Sequence, residues 1–254
     1  MTTLRLTVKG WEDGEPVERE LERPDRWALH AAEQVTMTID DLSVTINQRP
    51  HAVTAKKLGV GACAWEGEML LAAFLLSDAP RHRYTGMRVV ELGSGPGLAG
   101  LLAARLGAQV VITDKAVVLP LIRENIALNG LRDTPTGHSS GTAEAEELEW
   151  GAPGCDAIVA RLASRRPELV LAADCCYVDQ DGQSPSTPHF VAAARGLCHG
   201  GTRVLVSFEL RSSAVKETFL AEARSAFSRC TRVPLSRLPR CYRVEHIELY
   251  ELHP

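Results

Sequence analysis

A chain of 254 residues suffices for one sizeable α/β core, and 45% apolar with 24% charged residues is ordinary for a globular protein. A net charge of −4 gives no broad basic field, which disfavours binding to nucleic acid through its phosphates. Seven cysteines without C-x-x-C spacing read neither as a disulfide framework nor as a zinc site. No run reaches membrane-span length, and the first ten residues lack a secretory leader's apolar segment. A cytoplasmic protein with no resident metal, working as a monomer away from membranes, is expected.

Residues 1–34 are the least informative. LRLTV (4–8) has strand character, but Trp11 to Arg26 is dense in charge and holds two prolines, so a surface-docked arm or partly disordered lead-in is expected. From residue 35 to 254 a single domain is expected. Val35, Met37 and Ile39, then Leu42, Val44 and Ile46, alternate with polar residues around Asp40-Asp41, which predicts a β-hairpin. GVGACAWEGEMLLAAFLL (59–76) predicts a largely buried helix with Trp65 near its start, where plain core packing would also account for that ring.

The centre of the chain is RVVELGSGPGLAGLLAARLGAQVVITD (88–114). It predicts a strand, a glycine turn, a helix closed by Gly107, and a strand ending at Asp114. A helix follows at about Leu119 to Asn129, then a weak third strand within Arg132 to Gly151, a short helix at 156–166, and a buried strand ELVLAAD (168–174). Thr187-Pro188 starts a helix over 188–198, TRVLVSFE (202–209) is another buried strand, and Val215, Phe219, Ala223 and Phe227 recur at helical spacing. RVEHIELYEL (243–252) predicts a long final strand. Strands alternating with helices predict a mostly parallel sheet covered on both faces.

Two nucleoside cofactors compete for the glycine turn. Gly95-x-Gly97-x-x-Gly100 fits a dinucleotide fingerprint literally, and Asp114 is placed to accept from a ribose diol in either case. Glu91, two residues before Gly93, opposes a pyrophosphate by like charge and favours a cationic ligand such as S-adenosylmethionine. The form Glu91-Leu92-Gly93-Ser94-Gly95-Pro96-Gly97 resembles the turn of the class I, Rossmann-like methyltransferases, whose sheet has seven strands.

A narrower resemblance covers about residues 40–252. INQ (46–48), GVGACAW (59–65), VVELGSGPGLAG (89–100), TDKAVVLPLIRENIALN (113–129), LEWG (148–151), the D-x-x-Y of Asp174 to Tyr177, and SFELR (207–211) follow one another as in the family 16 seven-strand protein methyltransferases. The chain resembles that family, which methylates lysines on chaperones, ATPases and translation factors. The resemblance implies that Glu91, Gly93 and Gly97, with Ser94 and Gly95 between them, line the methionine end of S-adenosylmethionine. It further implies that Asp114 takes the ribose, that Trp150 lies near the adenine, and that Ala173 and Trp65 complete the pocket. Asp174 and Tyr177 would face the incoming lysine.

Read from the residues alone, Asp174 serves equally as a strand-end cap and Tyr177 as a packing ring. Glu209 and Arg211, at a strand end facing the same crevice, either contact substrate or pair with each other, the pairing being expected, and Cys175-Cys176 are expected to be buried, inert thiols. Another acceptor (a protein histidine, a small molecule or RNA) and a non-catalytic cofactor-binding module remain open at this point. The polar stretch DQDGQSPSTPHF (179–190) departs from the family pattern and is expected to carry target recognition.

Overall fold

In a computed structural model, which describes residues 4–21, 25–54, 58–131, 141–178 and 183–254, the N-terminal region forms a sheet of its own. Strands β1 (Leu4–Glu12) and β2 (Glu15–Leu21), helix α1 (Arg26–Ala31), and strands β3 (Gln34–Ile39) and β4 (Leu42–Asn47) give an antiparallel sheet of order β2-β1-β3-β4. The β3–β4 hairpin turns at Asp40-Asp41, as its alternation predicts. The lead-in expected as an arm instead holds β1, β2 and α1. Asp13 and Gly14 both take positive φ, the two-residue turn that matches the twist of a hairpin. Pro16 sits on β2, the edge strand, where its missing N–H costs no ladder bond.

Helix α1 is too short to persist alone. Asp25 caps it, its Oδ1 accepting from the N–H groups of Trp27 and Ala28 at 2.9 and 3.1 Å, a contact worth about 1 kcal/mol. Leu29 is buried beneath it. The Gln48 amide, itself buried, donates to the carbonyls of Leu29 and Ala32 and accepts from the N–H of Ala64. One side chain thereby ties α1 to the residue preceding Trp65.

After α2 (Pro50–Thr54) come α3 (Glu66–Asp78), β5 (Arg88–Leu92), α4 (Leu98–Arg105), β6 (Gln109–Asp114) and α5 (Leu119–Leu128). The chain continues through β7 (Thr142–Glu147), α6 (Cys155–Ser164), β8 (Leu169–Ala173), α7 (Ser186–Gly196), β9 (Arg203–Glu209), α8 (Ser213–Ala226), β10 (Arg229–Arg232) and β11 (Ile247–His253). The helix expected over 59–76 begins only at Glu66. Gly59 takes positive φ within a single tight turn over Gly59–Ala62, and Trp65 is extended, heading α3 as its cap residue. The final strand starts later than expected, at Ile247. The polar edge strand β10 carries no apolar pattern to announce it, and its charged residues suit an exposed edge.

These strands form a seven-stranded sheet of order β10-β11-β9-β8-β5-β6-β7. Pairs among β7, β6, β5, β8 and β9 are parallel, and β11 runs antiparallel to both of its neighbours. Alternation sorts the strand residues between two cores. Val89, Val110, Ile112, Leu171 and Leu205 pack with α3, α4 and the N-terminal sheet. Val90, Leu92, Val111, Val170, Val206 and Phe208 pack with α6, α7 and α8. Asn125 of α5 accepts from the N–H of Asn47 and donates to the carbonyl of Pro96, which pins the glycine turn to β4. The C-terminal ends of β5, β6 and β8 therefore meet the start of α3 at one crevice, where open α/β sheets bind ligands.

Candidate active site

A cavity of about 250 Å³ lies at that crevice. Trp65, Gly93, Ser94, Gly95, Asp114, Trp150, Ala173, Asp174 and Tyr177, all singled out in the sequence, line it. Gly93 is at φ +59, and a Cβ there would stand 2.7 Å from the Trp150 ring and 2.9 Å from Cys175 Sγ, so only glycine leaves the floor open. Asp114, at the tip of β6, accepts from the N–H of Gly95 at 2.8 Å and of Lys115 at 2.7 Å. Burial raises its pKa, and those two N–H bonds oppose the shift. Lys115 pairs with Glu149 at 3.1 Å on the rim.

Glu91 and Gly97 do not line the cavity, contrary to the expectation for the methionine end. Glu91 follows Val89 on the alternating strand β5 and so points into the core shared by α3 and α4. A Cβ on Gly100 would stand 2.4 Å from its Oε2. Gly97, at φ +89, heads α4 and is backed by Ile112. Burial pushes Glu91 up to about 8.

The carboxylate that does line the cavity from this side is Glu68 of α3, which the sequence reading passed over. Its Oε1 accepts from the N–H of Leu98 at 2.6 Å, and burial, with Glu91 alongside, pushes its pKa well above the usual carboxylate range. An acid inside the apolar run EGEMLLAAFLL was the available signal. Cys175, also missed as a lining residue, donates from Sγ to the carbonyl of Leu92, and burial holds its thiol far above the usual range. Cys176 is pushed up to about 12 by the same cause. Neither thiol is poised as a nucleophile.

Asp174 directly follows β8 at φ 51, a conformation that non-glycine residues seldom take. Its Oδ2 accepts from the N–H of Gly67 and its Oδ1 from the N–H of Glu209, both at 2.9 Å. A Cβ on Gly67 would meet Oδ2 at 2.5 Å, so glycine is what lets α3 come this close. Burial raises Asp174 to about 6, with the Arg211 guanidinium pulling the other way. Arg211 bonds Glu209 through Nε and Nη2, as their spacing predicts, and also lies over the Trp65 ring, 4.2 Å from its centre.

A second cavity of about 170 Å³ adjoins the first, reaching Cys176, Val178, Glu209, Arg211 and Val215. Val60, Trp65, Asp174 and Tyr177 line both. Tyr177 is 40% exposed. Of the stretch expected to carry recognition, residues 179–182 lie outside the described residues, and the remainder opens α7.

The crevice suits a nucleoside ligand that carries positive charge. Asp114 sits at the strand tip and Glu68 in the wall. The Trp150 Nε1 atom, on the cavity lining, is buried with no hydrogen-bond partner among the described residues. No group of three metal-ligating side chains occurs among those residues, and none of their helices is long and apolar enough to cross a membrane.

Sheet order and crevice together define a Rossmann-like α/β fold. The fold is matched by a Thermus thermophilus 16S rRNA N2 G1207 methyltransferase solved with AdoMet and guanosine. The TM-score is 0.59 at 17% identity, over 97% of this chain and 57% of that one. A SAM-dependent methyltransferase from Agrobacterium tumefaciens matches with a TM-score of 0.53 at 14% identity, over 98% of this chain and 77% of that one. More particularly, the chain belongs to the lysine methyltransferase family, whose model matches residues 43–226. It is 33% identical over 173 residues to the protein N-lysine methyltransferase METTL21A of Danio rerio, covering 68% of this chain and 71% of that protein. It is 31% identical over 179 residues to EEF1A lysine methyltransferase 3 of Mus musculus, covering 70% and 66%.

Proposed function

We propose that the chain methylates the side-chain amine of a lysine on a protein, with the cofactor in the larger cavity and the lysine entering through the smaller one. The observation that carries this reading is the wall common to both cavities, where an acid and two aromatic rings stand between the two ligand spaces. When bound, S-adenosylmethionine supplies a sulfonium methyl group for in-line displacement.

The chain's own residues bind and orient. Asp114 would accept from the ribose hydroxyls, and Trp150 and Ala173 would flank the nucleoside over the floor that Gly93, Ser94 and Gly95 leave open. Glu68, rather than Glu91, would face the positive charge directly. The acceptor amine must be neutral when it attacks, so the site has to hold a cation on arrival and release its proton. A carboxylate carries about four lone-pair directions. Asp174 uses two of them on the backbone and keeps the others for the amine. The Trp65 face is already covered by Arg211, which leaves the exposed Tyr177 ring to attract the ammonium or a methylated product through cation–π contact. Positioning then supplies most of the rate enhancement, with no covalent enzyme intermediate.

A translation factor is the substrate class suggested by the mouse relative's name, and chaperones and ATPases follow from the wider family resemblance. Seven cysteines, all free, fit a reducing cytoplasm. Incubation with tritiated S-adenosylmethionine and cell extract tests the reading, with the Asp174→Ala protein as control. A labelled protein band present only with the wild type, mapped to lysine, is the expected result. An unlabelled gel from a protein that binds the cofactor would move the assignment to a small-molecule acceptor.

A further inference from the structure

Asp174 is held by two backbone N–H groups from different parts of the chain: Gly67 at the start of α3 and Glu209 at the end of β9. Ser207 of β9 already ties these segments at one point, its Oγ donating to the Gly67 carbonyl at 2.7 Å. A charged side chain from outside the sheet adds a second tie nearer the tips. The Arg26 guanidinium, on α1, pairs with Oε1 of Glu209 and lies 3.9 Å from Oε2 of Glu66, the neighbour of Gly67. Glu209 answers with its other oxygen, which takes the two bonds from Arg211. The Glu209 side chain is 8% exposed, so losing a cation there leaves a charge that water compensates poorly.

Helix α1 is itself fixed to the catalytic domain. Asp25 caps it, Gln48 binds its last turn, and His30 packs edge-on against Trp65 with ring centres 4.3 Å apart. Arg26 lies outside residues 43–226, which the family model matches. The N-terminal sheet therefore delivers a charged group to the acceptor side of a site it otherwise does not enter.

We propose that Arg26 is a positioning residue for methyl transfer: by clamping Glu66 and Glu209 together it keeps the Gly67 and Glu209 N–H groups on Asp174 and the carboxylate aimed at the acceptor. The inference rests on reading Asp174 as the acceptor-side carboxylate. Arg26 lines neither cavity. Removing it should lower kcat while leaving the KM for cofactor and the affinity for S-adenosylhomocysteine unchanged.

The test uses the full chain with Arg26→Ala and Arg26→Lys, and its first readout needs no substrate. Residue-resolved amide hydrogen exchange should show Gly67 and Glu209 exchanging about tenfold faster in Arg26→Ala, the equivalent of one weakened hydrogen bond. The Gly95 amide, bound to Asp114, should not change. Arg26→Lys keeps the charge and should restore most of the protection and the turnover, a rescue that a purely packing role would not give. Unchanged exchange at Gly67 and Glu209 in a folded Arg26→Ala protein overturns the proposal, as does a loss of protection spread equally to Gly95. If the wild type labels no protein, the functional reading falls while the exchange result still decides whether Arg26 is the clamp.

Discussion

Substituting Gly93 by alanine tests the cofactor cavity with one methyl group. The new Cβ would stand 2.7 Å from the Trp150 ring and 2.9 Å from Cys175 Sγ, on a residue at φ +59. The indole cannot retreat towards Phe190, which packs against it with ring centres 5.2 Å apart. Relief must come from moving the ring or the glycine turn into the ligand's space. Left-handed backbone costs an alanine about 1–2 kcal/mol and an overpacked contact about 1–3 kcal/mol. Gly130→Ala separates the two, because Gly130 has φ +66 and nothing within 4 Å of its Cβ.

Both variants should lose a few degrees in Tm from strain, at about 2–4 °C per kcal/mol for a chain of this size. Only Gly93→Ala should also weaken S-adenosylhomocysteine, by about 10- to 100-fold in isothermal titration, if the contact cost falls on the bound state. Wild-type affinity in Gly93→Ala would refute the placement of the cofactor over this glycine. Equal weakening in both variants would refute the steric argument.

Three further substitutions probe the carboxylates. Asp114→Asn should raise the Kd for S-adenosylhomocysteine about 10- to 100-fold, the worth of a hydrogen bond to a charged group, as read by titration. In Asp174→Asn the amide NH2 must face a backbone N–H donor, because both oxygens now accept from the main chain. Initial-rate kinetics should show transfer falling by about 100-fold or more while cofactor affinity holds within about threefold. Equal loss of both would show that Asp174 belongs to the cofactor. Glu91 has a folded pKa of about 8 against 4.5 for the free side chain, so its contribution is most favourable below pH 4.5 and is lost as pH rises towards 8. The Tm of the ligand-free protein should fall across that window, and Glu91→Gln should flatten the fall. Parallel curves for the two proteins would show that Glu91 is not the group responsible.

Of the parallel strands, β5, β6, β8 and β9 are readable because each is a short apolar run closed by a glycine or an acid, and two of those acids mark the crevice, whereas β7 (TAEAEE) is only weakly signalled. Asp114 and Asp174 could be placed at strand ends for that reason. What was hidden has specific causes. The charge density of Trp11 to Arg26 masked a hairpin whose Asp13-Gly14 turn is itself a strong signal, and Pro16 argued against a strand only because its edge position was unknown. β10 has no apolar face to leave a pattern. Glu91 looked like a pocket residue because it adjoins the glycine turn, yet period-two alternation from Val89 already pointed it into the core. Glu68 sits in a helix that reads as interior, where a charge makes sense only once the cavity beside it is known. Arg26 could not be assigned at all, since its partners are 40 and 183 positions away along the chain.

The wall between the two cavities also bears on the order of events at the site. Beyond the four residues they share, each ligand space has lining of its own, so neither has to be filled before the other can be entered. Methyl donor and acceptor should therefore bind in either order, and an inhibitor shaped like one should be noncompetitive towards the other. A molecule that reaches past Asp174 into both spaces would compete with each in turn.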